Sequence, residues 1–418
     1  MPRERPTVVY WNHSPTPYFV DRFNAIAERG AFRFEAWFNE RRQSIRSWEV
    51  DESTWRFRAR YIPERTVLGR SLAIPVPELL EVRPELLVQE YDRAHLTAGF
   101  AAAKLLAGRT AFRVLPNFDA WSDRTWWREL GKQVVFRAVD GAKVPGDEGA
   151  RLAVRYGLDV ERASRVTQSI DYPHWFLGSQ IPDLERTRVR AELGLAGCVF
   201  IFVGRLWSKK GTAELMDAYA AISLGRDDVS LLLVGDGPDE GELRARAKSL
   251  PRVHFAGFAQ TAELPALYAI SDAMVFPTHG DPHGLVVEEA MACGLPVICS
   301  SAAGDIRQRL PNGTAGLIVP AHDSRSLGAA MQTLASSERR RREMGATARA
   351  IAAGRDVPRY AEDFESFAFR ILGLPRRRSL AAVAVRAAGA MLVHGVRGET
   401  AIPLVSESGA SESDDQTL

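Results

Sequence analysis

Short apolar runs alternate with amphipathic stretches along the first half of the chain. The apolar runs predict β-strands and the amphipathic stretches predict helices. The predicted strands lie at 7–11, 32–38, 84–90 and 111–116, and the predicted helices lie at 18–30 and 94–107. Apolar strands that alternate with helices favour an α/β fold in which helices cover both faces of a parallel sheet.

The second half repeats this alternation more regularly, after a connector at 160–182 that mixes a short strand with Pro, Gly and Ser. The predicted strands are 198–204, 229–235, 253–257, 273–277, 296–300 and 315–320, with helices at 211–223, 239–249, 261–270 and 285–293. Further helical patterns follow at 324–335, 338–353 and 359–373. The pattern therefore predicts two α/β units in series.

Length and composition agree with two globular domains of about 150–200 residues each. Of the 418 residues, 46% are hydrophobic and 25% are charged, and the formal net charge of +2 lacks the basic excess of a nucleic-acid-binding protein. Cys198, Cys293 and Cys299 lie in apolar runs without metal-ligand spacing, which indicates buried residues in a reducing cytoplasm. We find neither an apolar signal segment nor an uninterrupted apolar run of about 18 residues, so we expect a cytoplasmic protein.

Candidate chemistry is densest at 275–298, where an apolar strand leads through a polar glycine turn into a helix entered at Gly284 and Leu285. Backbone N–H groups at such a helix entrance favour an anion, usually a phosphate. Asp281 and Glu289 would repel an anion, so we interpret their carboxylates as hydrogen-bond acceptors for hydroxyl groups. A phosphate together with hydroxyl groups indicates a sugar nucleotide.

A second strand-to-helix turn, at 201–219, brings two cations to the same end of the predicted sheet. Gly204 and Arg205 follow the strand, and Lys210 comes just before the next helix. A planar guanidinium and an ammonium point charge together suit a departing diphosphate. The alternative is that both cations are solvated loop charges.

Two other strand ends carry weaker signals. Segment 234–243 begins like a dinucleotide-binding fingerprint, but Glu240 stands where the third glycine belongs, and acidic residues open the helix. This break argues against an NAD-type oxidoreductase, which is kept as a minor alternative. Gly257 and Phe258 end another strand, at which backbone groups could meet the edge of a base.

The sequence GRLWSKKG at 204–211, followed by HGDPHGLVVEEAMACGLPVI at 279–298, resembles the retaining nucleotide-sugar glycosyltransferases of glycosyltransferase family 4. The resemblance is specific over 198–320 and general elsewhere. It implies the GT-B fold, in which two Rossmann-like domains face each other, with the donor mainly in the C-terminal domain and the acceptor mostly in the N-terminal one. We accordingly expect an N-terminal domain at 1–175, a donor domain at 176–357, a crossover helix at 358–374 that packs on the N-terminal domain, and a partly disordered tail at 375–418.

The resemblance also implies roles for single residues. Arg205 and Lys210 would bind the donor diphosphate and stabilise its departure. Asp281 would contact the donor sugar, and Glu289 would hold the ribose hydroxyl groups. No metal is then required, and no protein nucleophile takes part, since front-face attack uses the departing phosphate oxygen to remove the acceptor proton.

Within the same motif, Gly284 and Leu285 would offer backbone amides to the phosphates. Two positions depart from the family pattern, because Asp281 replaces the usual Glu and His283 replaces the usual Phe. The first departure leaves the donor sugar open. It also keeps a non-catalytic relative that only binds sugar nucleotides as an alternative.

The N-terminal half matches the family weakly. Its first strand leads into NHSPTPY at 12–18 instead of the usual glycine-rich loop. His13, Ser14 and Thr16 are candidates to face the donor phosphates across the cleft.

The loop at 116–123 stands where many relatives place a histidine near the donor sugar. Asn117 and Asp119 are our candidates for that location, and the alternative is that they only cap the helix starting near 122. His95, in an Ala-rich helix, is interpreted as structural.

Two segments could contact a membrane surface. The stretch 122–141 sets Trp126, Trp127 and other apolar residues against basic ones, and 380–395 is Ala/Val-rich and follows the basic run 376–378. Each has a second interpretation as an ordinary surface helix of the domain. We therefore expect a retaining glycosyltransferase of surface polysaccharide or glycolipid biosynthesis, with a UDP- or GDP-linked donor and a glycan or lipid-linked acceptor. A location at the inner face of the cytoplasmic membrane is the alternative to a purely cytoplasmic one.

Overall fold

The computed structural model contains two parallel sheets. It describes residues 5–41, 48, 50–67, 70–90, 94–116, 125–224 and 226–399. The first sheet comprises β1 (Thr7–Asn12), β2 (Arg33–Phe38), β3 (Arg58–Tyr61), β6 (Leu86–Glu90), β7 (Arg109–Arg113), β8 (Gly141–Val144) and β9 (Ala163–Arg165), in the order β3-β2-β1-β6-β7-β8-β9. A separate antiparallel hairpin pairs β4 (Glu64–Val67) with β5 (Arg70–Ala73).

The second sheet has six strands. They are β10 (Cys198–Val203), β11 (Val229–Val234), β12 (Val253–Gly257), β13 (Ala273–Phe276), β14 (Val297–Ser300) and β15 (Gly316–Val319), in the order β12-β11-β10-β13-β14-β15. This is the order of a Rossmann-type sheet, which winds outward in both directions from its first strand.

Helices surround both sheets. In the first domain they are α1 (Pro17–Arg29), α2 (Val76–Val82), α3 (Ala94–Leu106), α4 (Trp126–Ala138) and α5 (Asp147–Arg155). The next helix, α6 (Tyr172–Gly178), packs against the second domain. The remaining helices are α7 (Asp183–Glu192), α8 (Thr212–Ser223), α9 (Glu240–Ala247), α10 (Leu264–Ala269), α11 (Val286–Ala292), α12 (Ile306–Arg309), α13 (Ser324–Ala335), α14 (Glu338–Ala353), α15 (Val357–Gly373) and α16 (Leu380–Glu399).

Burial explains why the strands are almost continuously apolar. Every residue of β1, β10 and β11 is buried, because helices cover both faces of a parallel sheet and leave no face for water. The predicted α/β fold with two facing Rossmann-like units is therefore confirmed. The buried Cys198, Cys293 and Cys299 are free thiols, as their apolar surroundings predicted.

The chain returns to the N-terminal domain through α15. Tyr360, Phe364 and Phe367 of this helix are buried in the core that also holds Phe23 and Tyr10. α15 follows the helices of the second domain in sequence and packs in the core of the first domain. It therefore links the two domains.

Within the tail, α16 packs against α3 and α4, which agrees with the interpretation of 380–395 as a surface helix of the domain. At their contact the helices approach closely, since a Cβ on Gly389 would lie 2.2 Å from the carbonyl oxygen of Ala101. The guanidinium of Arg376 donates to the carbonyl oxygens of Lys104 and Ala107 at 3.1 and 2.8 Å. This side chain therefore faces the N-terminal domain instead of anionic lipid.

Arg377 is held in the same way. Its guanidinium donates to the carbonyl oxygen of Gly157 at 2.8 Å and to the carboxylate of Asp159 at 3.0 Å. For 380–395 the structure thus gives a packed domain helix, while 400–418 lies outside the described residues. Across the ranges that the structure describes, no helix is long and apolar enough to cross a membrane.

Candidate active site

The second sheet has a topological switch point between its neighbouring strands β10 and β13. From β10 the chain proceeds to β11 on one side, whereas from β13 it proceeds to β14 on the other side. The loops that leave the carboxyl ends of these two strands therefore border one crevice. In open α/β sheets this crevice is where ligands bind.

The loop after β10 is held by close backbone contacts. Gly204 has φ +153° and donates its N–H to the carbonyl oxygen of Val234. Leu206 is fully buried and anchors the loop, whereas Arg205, between them, is exposed. The carbon of the Arg205 guanidinium lies 5.8 Å from the centre of the Trp207 ring.

Lys210 ends a short 3-10 turn, Ser208–Lys210, just before α8. The next residue, Gly211, has φ +72°, and a Cβ there would lie 2.0 Å from the carbonyl oxygen of Pro277. Only glycine allows this approach, which presses the β10 loop onto the β13 loop. The approach brings the ammonium of Lys210 into a hydrogen-bonded ion pair with the carboxylate of Asp281.

Asp281 is buried and held on both of its carboxylate oxygens. One oxygen accepts from Lys210, and the other accepts from the backbone N–H of His283 at 2.9 Å. Burial alone would raise the pKa of Asp281, but the Lys210 ammonium together with His283 outweighs burial and holds the pKa below its usual range. The group is therefore a carboxylate at neutral pH and can accept hydrogen bonds.

Gly284 turns the chain from this loop into α11. It has φ +73°, and a Cβ there would lie 2.5 Å from the ring of Phe276. Leu285 forms the N-cap of α11, which begins at Val286. The glycine turn and helix entrance predicted from the sequence are thus present at the crevice.

Glu289 is fully buried in the first turn of α11. One carboxylate oxygen accepts from the hydroxyl of Tyr18 at 2.6 Å and the other from the hydroxyl of Tyr268 at 3.0 Å. Burial raises the pKa of Glu289 to about 7, although both hydrogen bonds act in the opposite direction. Because Tyr18 belongs to α1, its bond to Glu289 joins the two domains across the cleft.

The neighbouring Glu288 has a structural environment that sequence reasoning did not identify. Its carboxylate is bound at 2.6 and 2.7 Å by the guanidinium of Arg309, which also donates to the carbonyl oxygen of His283. Burial would raise the pKa of Glu288, but Arg309 and His283 hold it well below its usual range. Burial and Arg309 lower the pKa of His283 to about 4, so this imidazole is neutral. Through these contacts Arg309 holds the glycine turn against α11. Local spacing in the sequence could not reveal this ion pair, because Arg309 is distant from Glu288 along the chain.

The candidate residues of the N-terminal domain differ in their burial and in their hydrogen-bond partners. Thr16 is the N-cap of α1, with its hydroxyl accepting from the N–H of Phe19. The imidazole of His13 lies 3.4 Å from the carboxylate of Glu40. Ser14 is buried, and its hydroxyl makes no hydrogen bond to any residue in the described part of the chain. Asn117 and Asp119 lie outside the described residues, as does the side chain of His95.

A cavity of about 330 Å³ lies between the domains near Tyr18. Its walls come from α1, from α6 and from the segment 260–262, and they include Asp21 and His174. Burial and the nearby Asp171 raise the pKa of Asp21 to about 6. Two residues before this segment, Phe258 is 37% exposed, following Gly257 with its φ of +75°.

Comparison with known proteins finds a family that resembles the second domain. Residues 197–337 match the family described as glycosyl transferases group 1. A D-inositol 3-phosphate glycosyltransferase of Rhodococcus jostii is 32% identical over 251 residues, which cover 57% of this chain and 52% of that protein. The chain thus spans about half the length of the curated relatives that it matches.

Solved structures extend the likeness to both domains. Anabaena HepE in complex with UDP superposes with a TM-score of 0.70 at 19% identity, covering 86% of this chain and 98% of that one. WaaG, a glycosyltransferase involved in lipopolysaccharide biosynthesis, superposes with a TM-score of 0.63 at 17% identity, covering 86% and 98%. At these identities the likeness establishes the GT-B fold.

Proposed function

We propose that this chain is a retaining glycosyltransferase of family 4, because residues 197–337 match the family described as glycosyl transferases group 1. It moves a sugar from a nucleoside-diphosphate sugar to an acceptor hydroxyl. The observation that supports the proposal is the Lys210–Asp281 ion pair, which joins the loops after β10 and β13 at the switch point of the second sheet, with the exposed Arg205 in the first of these loops. The chemistry of donor binding requires cations and hydroxyl acceptors at one place, and this crevice offers both.

In this proposal the donor diphosphate lies between Arg205 and Lys210, beside the backbone of Gly284 and Leu285. Cations that are already in place stabilise the negative charge of the leaving diphosphate without reorganisation during the reaction. The Asp281 carboxylate holds the Lys210 ammonium in the crevice before the donor arrives. It then accepts hydrogen bonds from the donor sugar.

Glu289 has the role of ribose acceptor. In the structure the hydroxyl of Tyr18 occupies one of its oxygens, so a ribose hydroxyl would exchange with Tyr18. Donor binding is thereby coupled to the contact between the domains. The nucleoside would lie beside Gly257 and Phe258, and the cavity near Tyr18 is the candidate space for its outer part.

The proposed reaction is retention by front-face attack. A departing phosphate oxygen takes the acceptor proton, so the protein supplies charge stabilisation and positioning instead of a nucleophile. Arg205 and Lys210 do for the diphosphate what a divalent ion does in other transferases, and the transfer step itself requires no metal.

UDP-sugars are the first donors to test, because HepE was solved with UDP. GDP-sugars are the second. For the acceptor we propose a glycan or a lipid-linked glycan that is presented at a membrane surface. This part rests on Trp126, Trp127 and Leu130 of α4, whose side chains are exposed although they are large and apolar.

The test combines donor binding with turnover. The full chain is screened for thermal stabilisation by UDP, GDP and their sugars, and the sugar that binds is used to measure donor consumption. Replacing Arg205 or Lys210 by Ala should reduce turnover by about 10²-fold, the loss seen when a preorganised charge-stabilising group is removed. Lys209→Ala is the matched control in the same turn, and we expect a much smaller loss for it.

Two outcomes of these measurements would contradict the proposal. Near-normal turnover in both variants with an intact fold would refute the assignment of these cations. Donor binding without any turnover in the parent chain would favour the non-catalytic sugar-nucleotide-binding alternative, which Asp281 in place of Glu keeps open.

A further inference from the structure

Three metal-ligating side chains converge behind the donor crevice, at the carboxyl end of the second sheet. The Nε2 atom of His279 lies 2.9 Å from Glu214 Oε1, and the Nδ1 atom of His322 lies 3.5 Å from the same oxygen. One ligand atom of each residue lies within 4.8 Å of those of the other two. Glu214 comes from α8, His279 from the loop after β13, and His322 from the turn between β15 and α13.

The backbone holds two of these residues in place. The N–H of His279 donates to the carbonyl oxygen of Lys209 at 3.0 Å. His322 has φ +60°, a conformation that costs free energy for any residue with a Cβ. Directly after it, Asp323 caps α13 through the N–H of Ser326, so the chain is fixed on that side as well. The strained conformation directs the His322 ring to Glu214.

A simple Glu–His hydrogen bond leaves part of this arrangement unexplained. Glu214 Oε2 is buried and makes no hydrogen bond within the described ranges of the chain, which is costly for a carboxylate oxygen. The two imidazole rings also lie close, with centroids 3.7 Å apart and planes at 36°. Two imidazoles and a carboxylate oxygen that face one point are an arrangement that a cation would stabilise.

We propose that Glu214, His279 and His322 bind a divalent transition-metal ion of the Zn²⁺ type. Zn²⁺ takes imidazole nitrogen and carboxylate oxygen at about 2.0–2.2 Å, so tetrahedral ligand atoms lie about 3.3 Å from each other. The separations of 2.9 and 3.5 Å bracket this value. His322 is exposed, which leaves the fourth position to water. A nitrogen-rich set of this kind does not suit Mg²⁺ or Ca²⁺.

The ion would connect α8, the loop after β13 and the turn between β15 and α13. Glu214 follows Lys210 by four residues, and His279 precedes Asp281 by two. The bound ion would therefore fix the positions of both loops without touching the donor. The proposal rests on these three side chains alone and does not depend on the transferase function.

The test uses the full chain, freed of metal by dialysis against a chelator and titrated with Zn²⁺ in a calorimeter. We expect one Zn²⁺ per chain and a rise in Tm on binding. Co²⁺ in the same site should show the visible absorption of a four-coordinate ion. His322→Gly is the sharpest variant, since glycine adopts a positive φ without strain and the variant should fold.

Zn²⁺ affinity in His322→Gly should fall at least tenfold, and the rise in Tm should disappear. Glu214→Gln should show the same losses. The matched control is His394→Ala, at an exposed histidine of α16, which should bind like the parent. Absence of Zn²⁺ binding in the parent, or equal stoichiometry and affinity in the parent and His322→Gly, would overturn the proposal.

Discussion

At the scale of single residues, the site depends on how burial and charge set the state of each carboxylate. Asp281 and Glu289 belong to the same motif, yet their pKa values shift in opposite directions. Asp281 has the Lys210 ammonium as partner and stays charged, whereas Glu289 accepts from the neutral hydroxyls of Tyr18 and Tyr268. The sequence shows the spacing of Asp281 and Glu289. The difference between their pKa values depends on contacts that only the structure shows.

The raised pKa of Glu289 predicts a pH dependence of stability. Its pKa is 4.5 in an unstructured chain and about 7 in the fold. Between these values the folded state keeps a proton that the unfolded state releases, so stability falls as pH rises. At 1.36 kcal/mol per pH unit, the parent should lose roughly 3 kcal/mol relative to Glu289→Gln between pH 4.5 and 7.

Denaturant unfolding of both proteins at several pH values measures this difference. Below pH 4.5 the carboxyl is protonated in both states and the difference should be constant. A second variant, Glu263→Gln, changes an exposed glutamate of the same domain and controls for the general effect of removing a charge. Parallel curves for the parent and Glu289→Gln would show that the Glu289 pKa is not raised.

At the scale of helices and strands, the sequence predicted those elements whose burial is reflected in composition. The fully buried β10 and β11 are continuous apolar runs, and their bounds were close to those expected. β8 was missed because its four buried residues include Lys143, whose ammonium donates to the hydroxyl of Tyr360 at 2.6 Å. An interior lysine interrupts the apolar pattern, and its partner is far away in the sequence.

The loops after β10 and β13 were also predictable, because their signal is local in the sequence. Glycines that require a positive φ, such as Gly211 and Gly284, stand beside charged residues in a short segment, so local sequence carries the signal. The Arg309–Glu288 ion pair and the tyrosines on Glu289 depend on contacts between distant segments. Periodicity and spacing report neighbours along the chain and cannot show which distant side chain completes a site.

Two helices cap each other across the domain boundary. The N–H of Glu148 in α5 donates to Asp305 Oδ1 at 2.9 Å, and the N–H of Asp305, the N-cap of α12, donates to Glu148 Oε2 at 2.9 Å. Each carboxylate thus satisfies a helix-terminal donor of the other domain. The pair is a reciprocal connection between the two sheets.

This reciprocal cap predicts thermodynamic coupling. Glu148→Ala should lower the free energy of unfolding by about 1 kcal/mol, the usual loss for a helix cap. Asp305→Gly removes the second acceptor and suits the φ of +53° at this position. Each variant removes one of the two hydrogen bonds directly. In a double-mutant cycle the two changes should couple by about 1 kcal/mol, because both bonds hold the same two helix ends together and the loss of one lets the ends separate.

The control cycle pairs Glu148→Ala with Asp323→Ala. Asp323 caps α13 within the second domain and has a similar geometry, with its carboxylate accepting from Ser326 N–H at 2.9 Å. These two changes should add without coupling, since they share no partner. Coupling of equal size in both cycles would contradict a specific bond between α5 and α12.

At the scale of the whole molecule, the domains form a cleft with contacts on more than one side. The Tyr18–Glu289 bond and the Glu148–Asp305 cap both cross it, and α15 returns the chain from the second domain to the first. If Glu289 binds the ribose as proposed, donor entry releases Tyr18 from Glu289. The proposal therefore links donor binding to the relative position of the domains.

The N-terminal domain carries an apolar patch on its outer surface. Trp126, Trp127 and Leu130 of α4 are 78%, 55% and 51% exposed, while the same helix buries Val135 and Phe136 in the core. The Arg128 guanidinium lies 4.9 Å from the Trp127 ring centre, so a cation accompanies the patch. Exposed aromatic residues next to a cation are typical of helices that lie on an anionic membrane surface.

We therefore expect the full chain to co-sediment with anionic vesicles more than with neutral ones, and less at high salt. Burying a large apolar side chain contributes about 1.5–3 kcal/mol, so replacing Trp126 and Trp127 by Ser should weaken binding at least about tenfold. Leu184→Ser, at a leucine of α7 that is 83% exposed on the second domain, is the matched control and should bind like the parent. The double variant is assayed on a water-soluble acceptor and on a vesicle-bound one. If it keeps its activity on the first and loses activity on the second, the acceptor lies at the membrane. Negligible binding of the parent under every condition would remove the membrane from the proposal and favour a soluble acceptor.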